Sequence, residues 1–112
     1  MSHSDQSPEF EKDFSKLSKK YPSLFEDFMK FEKLVGINPT GSSKNFTVIH
    51  HVGKLKIIKA RLACKCLRER SMRIIYAYHN DTETFVYMEL YFKGNKENED
   101  KKRIIKYLKN NE

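Results

Sequence analysis

The sequence predicts an α+β domain: an N-terminal helical hairpin packed on a three- to four-stranded antiparallel sheet, closed by a short C-terminal helix. Three observations carry this prediction. Apolar side chains recur at helical spacing before residue 36. Branched and aromatic residues alternate at strand spacing between residues 46 and 93. An amphipathic stretch with acids first and bases later ends the chain. The chain has 112 residues, the size of a single domain with one modest core. Residues 1–7 are polar and are expected to fray, leaving 8–112 as the folded unit.

Ser7-Pro8-Glu9 reads as a helix start, with Ser as N-cap, Pro in the first turn and acid near the positive end. Phe10, Phe14, Leu17 and Tyr21 then share one helical face, and Pro22 stops the helix. A second helix carries Leu24, Phe28, Phe31, Leu34 and Val35, and Gly36 with Asn38-Pro39 ends it. Residues 38–45 (NPTGSSKN) form a loop by composition. Phe46–Val52 is the first strand, Gly53 a turn, and residues 54–62 (KLKIIKARL) the second strand. Residues 63–71 are a basic connection. Residues 72–79 (MRIIYAYH) and 85–93 (FVYMELYFK) are strongly strand-forming, joined by the turn 80–83. Residues 95–108 predict the terminal helix, with Ile104, Ile105 and Leu108 to bury.

Charge is unevenly spread. The chain carries 22 Lys plus Arg against 15 Asp plus Glu, a formal +7. Residues 54–76 hold eight cations (Lys54, Lys56, Lys59, Arg61, Lys65, Arg68, Arg70, Arg73) and one acid, Glu69, also +7. Such a segment attracts polyanions or an acidic protein. No apolar run approaches the roughly 20 residues that span a bilayer, and no signal segment opens the chain. Cys64 and Cys66 are poorly spaced for a disulfide within one strand, so reduced thiols and a cytoplasmic setting are expected. His50 and His51 with Cys64 and Cys66 could be read as a zinc site. Adjacent strand residues point to opposite faces, however, so the histidines do not converge, and no metal is expected.

Alternation sorts each strand into two faces. Ile58, Ala60 and Leu62, then Met72, Ile74, Tyr76 and Tyr78, then Val86, Met88, Leu90 and Phe92 are expected to face the helices. The other face is expected to be largely open. It would collect Lys59, Arg61, Arg73, His79, Tyr87, Glu89, Tyr91 and Lys93. Cations that fix phosphates and tyrosines that stack on bases suit a single-stranded nucleic acid. Lys54, Lys56, Lys65, Arg68, Arg70, Tyr87 and Tyr91 are the candidate nucleic-acid contacts.

The order of these elements, with Lys59-Ala60-Arg61, Arg73-Ile74-Ile75-Tyr76, Tyr91-Phe92-Lys93 and a first helix containing FEKDFSKL, resembles the RelE/ParE superfamily of toxin–antitoxin toxins. The likeness covers roughly residues 8–108. It implies a compact α+β domain with a concave basic sheet face. In the RelE branch that face cuts messenger RNA in the ribosomal A site without metal. In the ParE branch the toxin inhibits DNA gyrase instead, and a cognate antitoxin wraps either kind. Arg73, Lys59, Arg61 and Lys93 match the family's basic positions. The sequence departs from the family in lacking an obvious opening strand and in its longer connection 63–71. It also lacks a counterpart of the C-terminal Tyr or His that some members use, since Gly94-Asn95 follows Lys93.

A metal-free ribonuclease needs a base for the ribose 2′-OH, an acid for the leaving 5′ oxygen, and cations around the phosphorane. The candidates are Arg61 and Arg73 as phosphate forks, Lys59 and Lys93 as charge stabilisers or acids, and Glu89 as base or as a structural partner of Arg73. His79 is a weaker candidate at a turn. The expected partners are an antitoxin and ribosome-bound RNA, with no membrane and no small-molecule cofactor. The rival readings are a ParE-like gyrase inhibitor and a basic RNA-binding module without catalysis.

Overall fold

The computed structural model describes residues 3–40, 44–67, 71–94, 96 and 98–111. The helical hairpin forms as the sequence predicts. Helix α1 is Pro8–Lys20, and Ser7 caps it by accepting the Phe10 N–H at 3.1 Å. Helix α2 is Leu24–Ile37. Strands β2 (Phe46–Val52), β3 (Leu55–Ala63), β4 (Ser71–His79) and β5 (Thr84–Phe92) follow, then α3 (Lys101–Asn110). Gly53 turns β2 into β3 at φ 58°, a left-handed value that costs glycine little. A 3₁₀ turn, Lys65–Leu67, lies in the basic connection.

The sheet has five strands in the order β1-β5-β4-β3-β2, one more than the upper expectation. The extra strand is β1, His3–Gln6, which runs parallel to β5. This corrects the expectation of a frayed N-terminus for these residues. HSDQ has no strand propensity. Its strand exists because the β5 edge offers unpaired backbone groups, and Ser7 N–H continues the pairing to Tyr87 C=O at 3.0 Å.

The face of β3, β4 and β5 turned toward α1 and α2 buries Ile58, Ala60, Leu62, Met72, Ile74, Tyr76, Phe85, Tyr87, Leu90 and Phe92 against Phe10, Leu24, Phe28, Phe31 and Val35. The predicted faces of β3 and β4 are those observed. In β5 the prediction fails at one point. Ile75 pairs with Glu89 and Tyr76 with Tyr87, so Met88 is an extra residue in a β-bulge. The bulge resets the alternation. Phe85 and Tyr87 turn toward the helices, while Val86 and Met88 turn away.

The opposite face is not left open along its whole length. Helix α3 covers one half of it, packing Ile104, Tyr107 and Leu108 against Leu55, Ile57, Ile75, Ala77, Met88 and Tyr91. Polar contacts at both ends hold this helix. Asp100 caps it by accepting the N–H groups of Lys102 and Arg103. The Arg103 guanidinium donates to Asp13 at 2.8 Å and to Met88 C=O at 3.1 Å. At the other end Tyr107 Oη meets His79 Nε2 at 2.5 Å.

Candidate nucleic-acid interface

The half of the second face that α3 leaves uncovered carries the cations. Alternation along β3 points Lys59 and Arg61 to this side, and alternation along β4 does the same for Arg73. Arg61 and Arg73 are direct cross-strand partners. Lys93 stands just past the end of β5. These four side chains line a groove of about 330 Å³ whose other walls include Thr47 and Ile49 of β2, Lys44 and Asn45 before it, and Asn98 and Glu99 before α3. That volume lies at the small end of ligand sites and admits a nucleotide unit rather than a duplex.

The electrostatics of this groove are unbalanced. Like charges directly opposite on paired strands destabilise a sheet, yet no described residue forms an ion pair with Arg61, Arg73 or Lys93. Arg73 is half-buried, and among the described residues its guanidinium donates only to Ser71, to Oγ at 2.8 Å and to C=O at 3.4 Å. Burial and the neighbouring Arg61 charge both push its pKa below the ordinary guanidinium value. A guanidinium remains charged at neutral pH even so. Among the described residues the two guanidinium charges stand side by side without a compensating carboxylate.

Lys59 is the exception, because its ammonium donates to Glu99 at 2.9 Å. Burial pulls the Lys59 pKa down, but the Glu99 hydrogen bond and charge outweigh it, and the pKa rises. Lys59 is therefore a fixed positive charge at neutral pH and not a proton donor. For Glu99 burial pushes the carboxyl up. The Lys59 hydrogen bond and the charges of Lys59 and Lys101 outweigh burial and hold it below the usual range. A depressed carboxylate pKa contributes stability above its unfolded value, and that contribution is lost as pH falls through the folded value. Glu99→Gln is expected to lower stability at pH 7 and to converge with the parent chain in acid, once pH has fallen through the depressed folded value of Glu99. Urea titrations at both pH values check this. An equal deficit at both would contradict the assignment.

Beneath this ion pair lies Tyr91, the cross-strand partner of Arg73. It is buried, and its hydroxyl has no hydrogen-bond partner among the described residues. Burial raises its pKa, and the nearby Lys59 charge opposes that rise. Lys96 sits over its ring at 5.5 Å from the centroid. Leaving a buried hydroxyl unpartnered costs about 1–3 kcal/mol. Tyr91→Phe is therefore expected to raise stability by about 1 kcal/mol, read as a higher urea midpoint at unchanged slope. A lower midpoint would mean that the hydroxyl contributes to stability after all.

The remaining predicted residues sit elsewhere. Glu89 shares the second face but is buried, accepting the Asp100 N–H at 2.7 Å and the Lys96 ammonium. It latches the connection into α3, does not line the groove and is not the partner of Arg73. Tyr87 is 1% exposed and packs in the helix-covered core, edge-on to Phe28 at 5.0 Å. It is not available for stacking on a base, and the bulge at Met88 is the reason. Lys54 and Lys56 lie at the far end of β3, about 20 Å from Arg61 by strand rise, and Lys56 faces the helix side. Lys65 is exposed in the 3₁₀ turn, in the wall of a second cavity that reaches Arg61. Arg68 and Arg70 fall outside the described residues. His79 is engaged with Tyr107. Glu99, Asn98 and Thr47 were missed by sequence reasoning. Lys59 and Glu99 are 40 residues apart, and no local pattern joins them. Among the described residues no cluster of His, Cys, Asp and Glu could hold a metal ion, and no helix is long and apolar enough to cross a membrane.

Comparison with known proteins extends this description. No protein-family model and no curated relative matches the sequence. The crystal structure of an archaeal RelE–RelB complex from Pyrococcus horikoshii does match in fold. It superposes with a TM-score of 0.64 at 18% identity, over 83% of this chain and 96% of that one. The chain thus has a RelE-like fold, with the cationic groove set on its sheet.

Proposed function

We propose that this chain is the toxin of a type II toxin–antitoxin pair and cuts messenger RNA on the ribosome without a metal ion. One observation carries the reading: Arg61 and Arg73 stand side by side at the centre of a groove, and neither has a carboxylate partner among the described residues. An RNA phosphate supplies the missing negative charge, and a planar guanidinium can bind it through two parallel hydrogen bonds. The resemblance of the sequence to the RelE branch is what favours RNA as the source of that phosphate. The neighbour of similar fold is held in complex with RelB, which supports an antitoxin partner here.

In this reading Arg61, Arg73, Lys59 and Lys93 hold the scissile phosphate and stabilise the pentacoordinate phosphorane, which is electrostatic catalysis by groups already in place. The proton of the ribose 2′-OH goes to Glu99, the carboxylate among the described groove residues; the 2′ oxygen bonds to phosphorus, the bond from phosphorus to the 5′ oxygen breaks, and Lys93 gives that leaving oxygen its proton. Glu99 is freed when Lys59 turns to the phosphate. Glu99 thus takes the role that the sequence had offered to Glu89. Purified chain incubated with ribosomes carrying a defined messenger is the test. Cleavage in the presence of a chelator, suppressed by the product of an adjacent short reading frame, is the expected result. Intact messenger together with inhibited gyrase supercoiling would move the chain to the ParE-like reading.

A further inference from the structure

Cys64 and Cys66 are poorly spaced for a disulfide within one strand, but neither lies in a strand. Cys64 follows the end of β3 and is buried, while Cys66 lies in the 3₁₀ turn and is exposed. The turn closes through Leu67 N–H to Cys64 C=O at 2.9 Å and folds both residues back toward Ser23.

Ser23 occupies the N-cap of α2 but makes no side-chain cap bond to its own helix. Its hydroxyl serves the cysteines instead. It accepts the Cys66 N–H at 3.2 Å and lies 3.5 Å from Cys64 Sγ. It donates its single proton to Asp27 at 2.7 Å. The buried Asp27 carboxylate also accepts the Lys65 N–H at 3.1 Å. Three hydrogen bonds thus tie the Lys65–Leu67 turn and the Ser23 hydroxyl into one cluster, with one exposed and one buried thiol.

The geometry points to an oxidation site here: Cys66 is the thiol that meets a peroxide, and Cys64 is the thiol that resolves it. The exposed sulfur is accessible, and the buried one belongs to the residue two positions before it in the same turn; the Ser23 hydroxyl holds both residues, Cys64 at its sulfur and Cys66 at its backbone N–H. The polar surroundings supplied by Ser23 draw the Cys66 thiol below its ordinary range, against burial and the opposing charge of Asp27. Burial raises the Cys64 thiol. One thiol is therefore predisposed to react as thiolate and the other to wait as thiol.

The chemistry balances with a hydroperoxide as the oxidant. The Cys66 thiolate attacks the outer peroxide oxygen, an S–O bond forms, the O–O bond breaks, and the leaving alkoxide or hydroxide takes a proton. Cys66 is then a sulfenic acid. The Cys64 sulfur attacks the Cys66 sulfur, the S–S bond forms, and the hydroxyl leaves with the Cys64 proton as water. Two thiols have been oxidised and one peroxide reduced. This inference is independent of the proposed RNA chemistry.

The experiment exposes the full chain to hydrogen peroxide and follows free thiols, intact mass and peptide maps. The expected result is loss of both titratable thiols and of two hydrogens, with an intrachain Cys64–Cys66 bond reversed by dithiothreitol. Cys66→Ser should leave Cys64 unoxidised. Cys64→Ser should halt at a sulfenic acid that dimedone traps, and Ser23→Ala should slow the first step in a chain that still folds. Oxidation of the folded parent chain no faster than of the same chain in denaturant overturns the proposal. So does a product in which Cys64 keeps its thiol, or one in which two chains are linked. The parent-chain arms need no variant to fold.

Discussion

Arg73→Ala is expected to abolish cleavage of ribosome-bound messenger while leaving the fold intact. The size of the effect follows from the site. Arg73 stands at the centre of the groove, opposite Arg61, and among the described residues its side chain hydrogen-bonds only to Ser71 of its own strand. Removing one preorganised donor from a developing negative charge costs about 10²–10³-fold in rate. Its removal disturbs little else, since the side chain is half-exposed and sits beside a like charge. Stability is expected to hold or rise slightly as the Arg61–Arg73 repulsion disappears. RNA binding should also lose salt dependence, by about 0.7 in the log–log slope for one lost single-strand phosphate contact. Full cleavage by the variant would remove the central role given to this side chain. Loss of cleavage accompanied by unfolding would show that Arg73 is structural.

The largest stability effect belongs to Tyr87. Tyr87→Ala is expected to cost about 3–5 kcal/mol, a large part of the roughly 5–15 kcal/mol that holds such a domain together. Tyr87 is among the most buried side chains and meets Phe10 at 5.5 Å, Phe28 at 5.0 Å and Tyr76 at 6.1 Å between ring centroids. Truncation opens a cavity where both helices meet the sheet. Tyr87→Phe keeps the ring and is expected to change stability by about 1 kcal/mol or less, with RNA binding unaltered. Chemical denaturation of the two variants separates a core role from a base-stacking one. A stable Tyr87→Ala chain with weakened RNA binding would restore the stacking assignment.

Much of the scaffold was legible in the residues. Ser7-Pro8 and the spacing of Phe10, Phe14 and Leu17 define α1 because capping and periodicity are local properties. The faces of β3 and β4 were legible because Lys59, Arg61 and Arg73 fall together on one side of the alternation, with Lys56 the one cation of these strands on the other. β5 lacked such a contrast. Its two faces are both apolar except at Glu89, because helices cover it from both sides, so alternation could not reveal the bulge at Met88. β1 was illegible for a different reason, since its pairing is a backbone event at the edge of β5. In the site, the Arg61–Arg73 pair follows from strand phase and register. The Lys59–Glu99 pair depends on where the connection before α3 is laid across the sheet, and Glu89 with Lys96 fixes that path.

The most direct measurement is an NMR titration of the full chain with a short single-stranded oligoribonucleotide that cannot be cleaved for want of a 2′-OH at one position. Shifts confined to Thr47, Lys59, Arg61, Arg73, Lys93 and Asn98 are the expected result. Shifts on the outer surface of α2, with these six residues undisturbed, would contradict a phosphate site between β3 and β4.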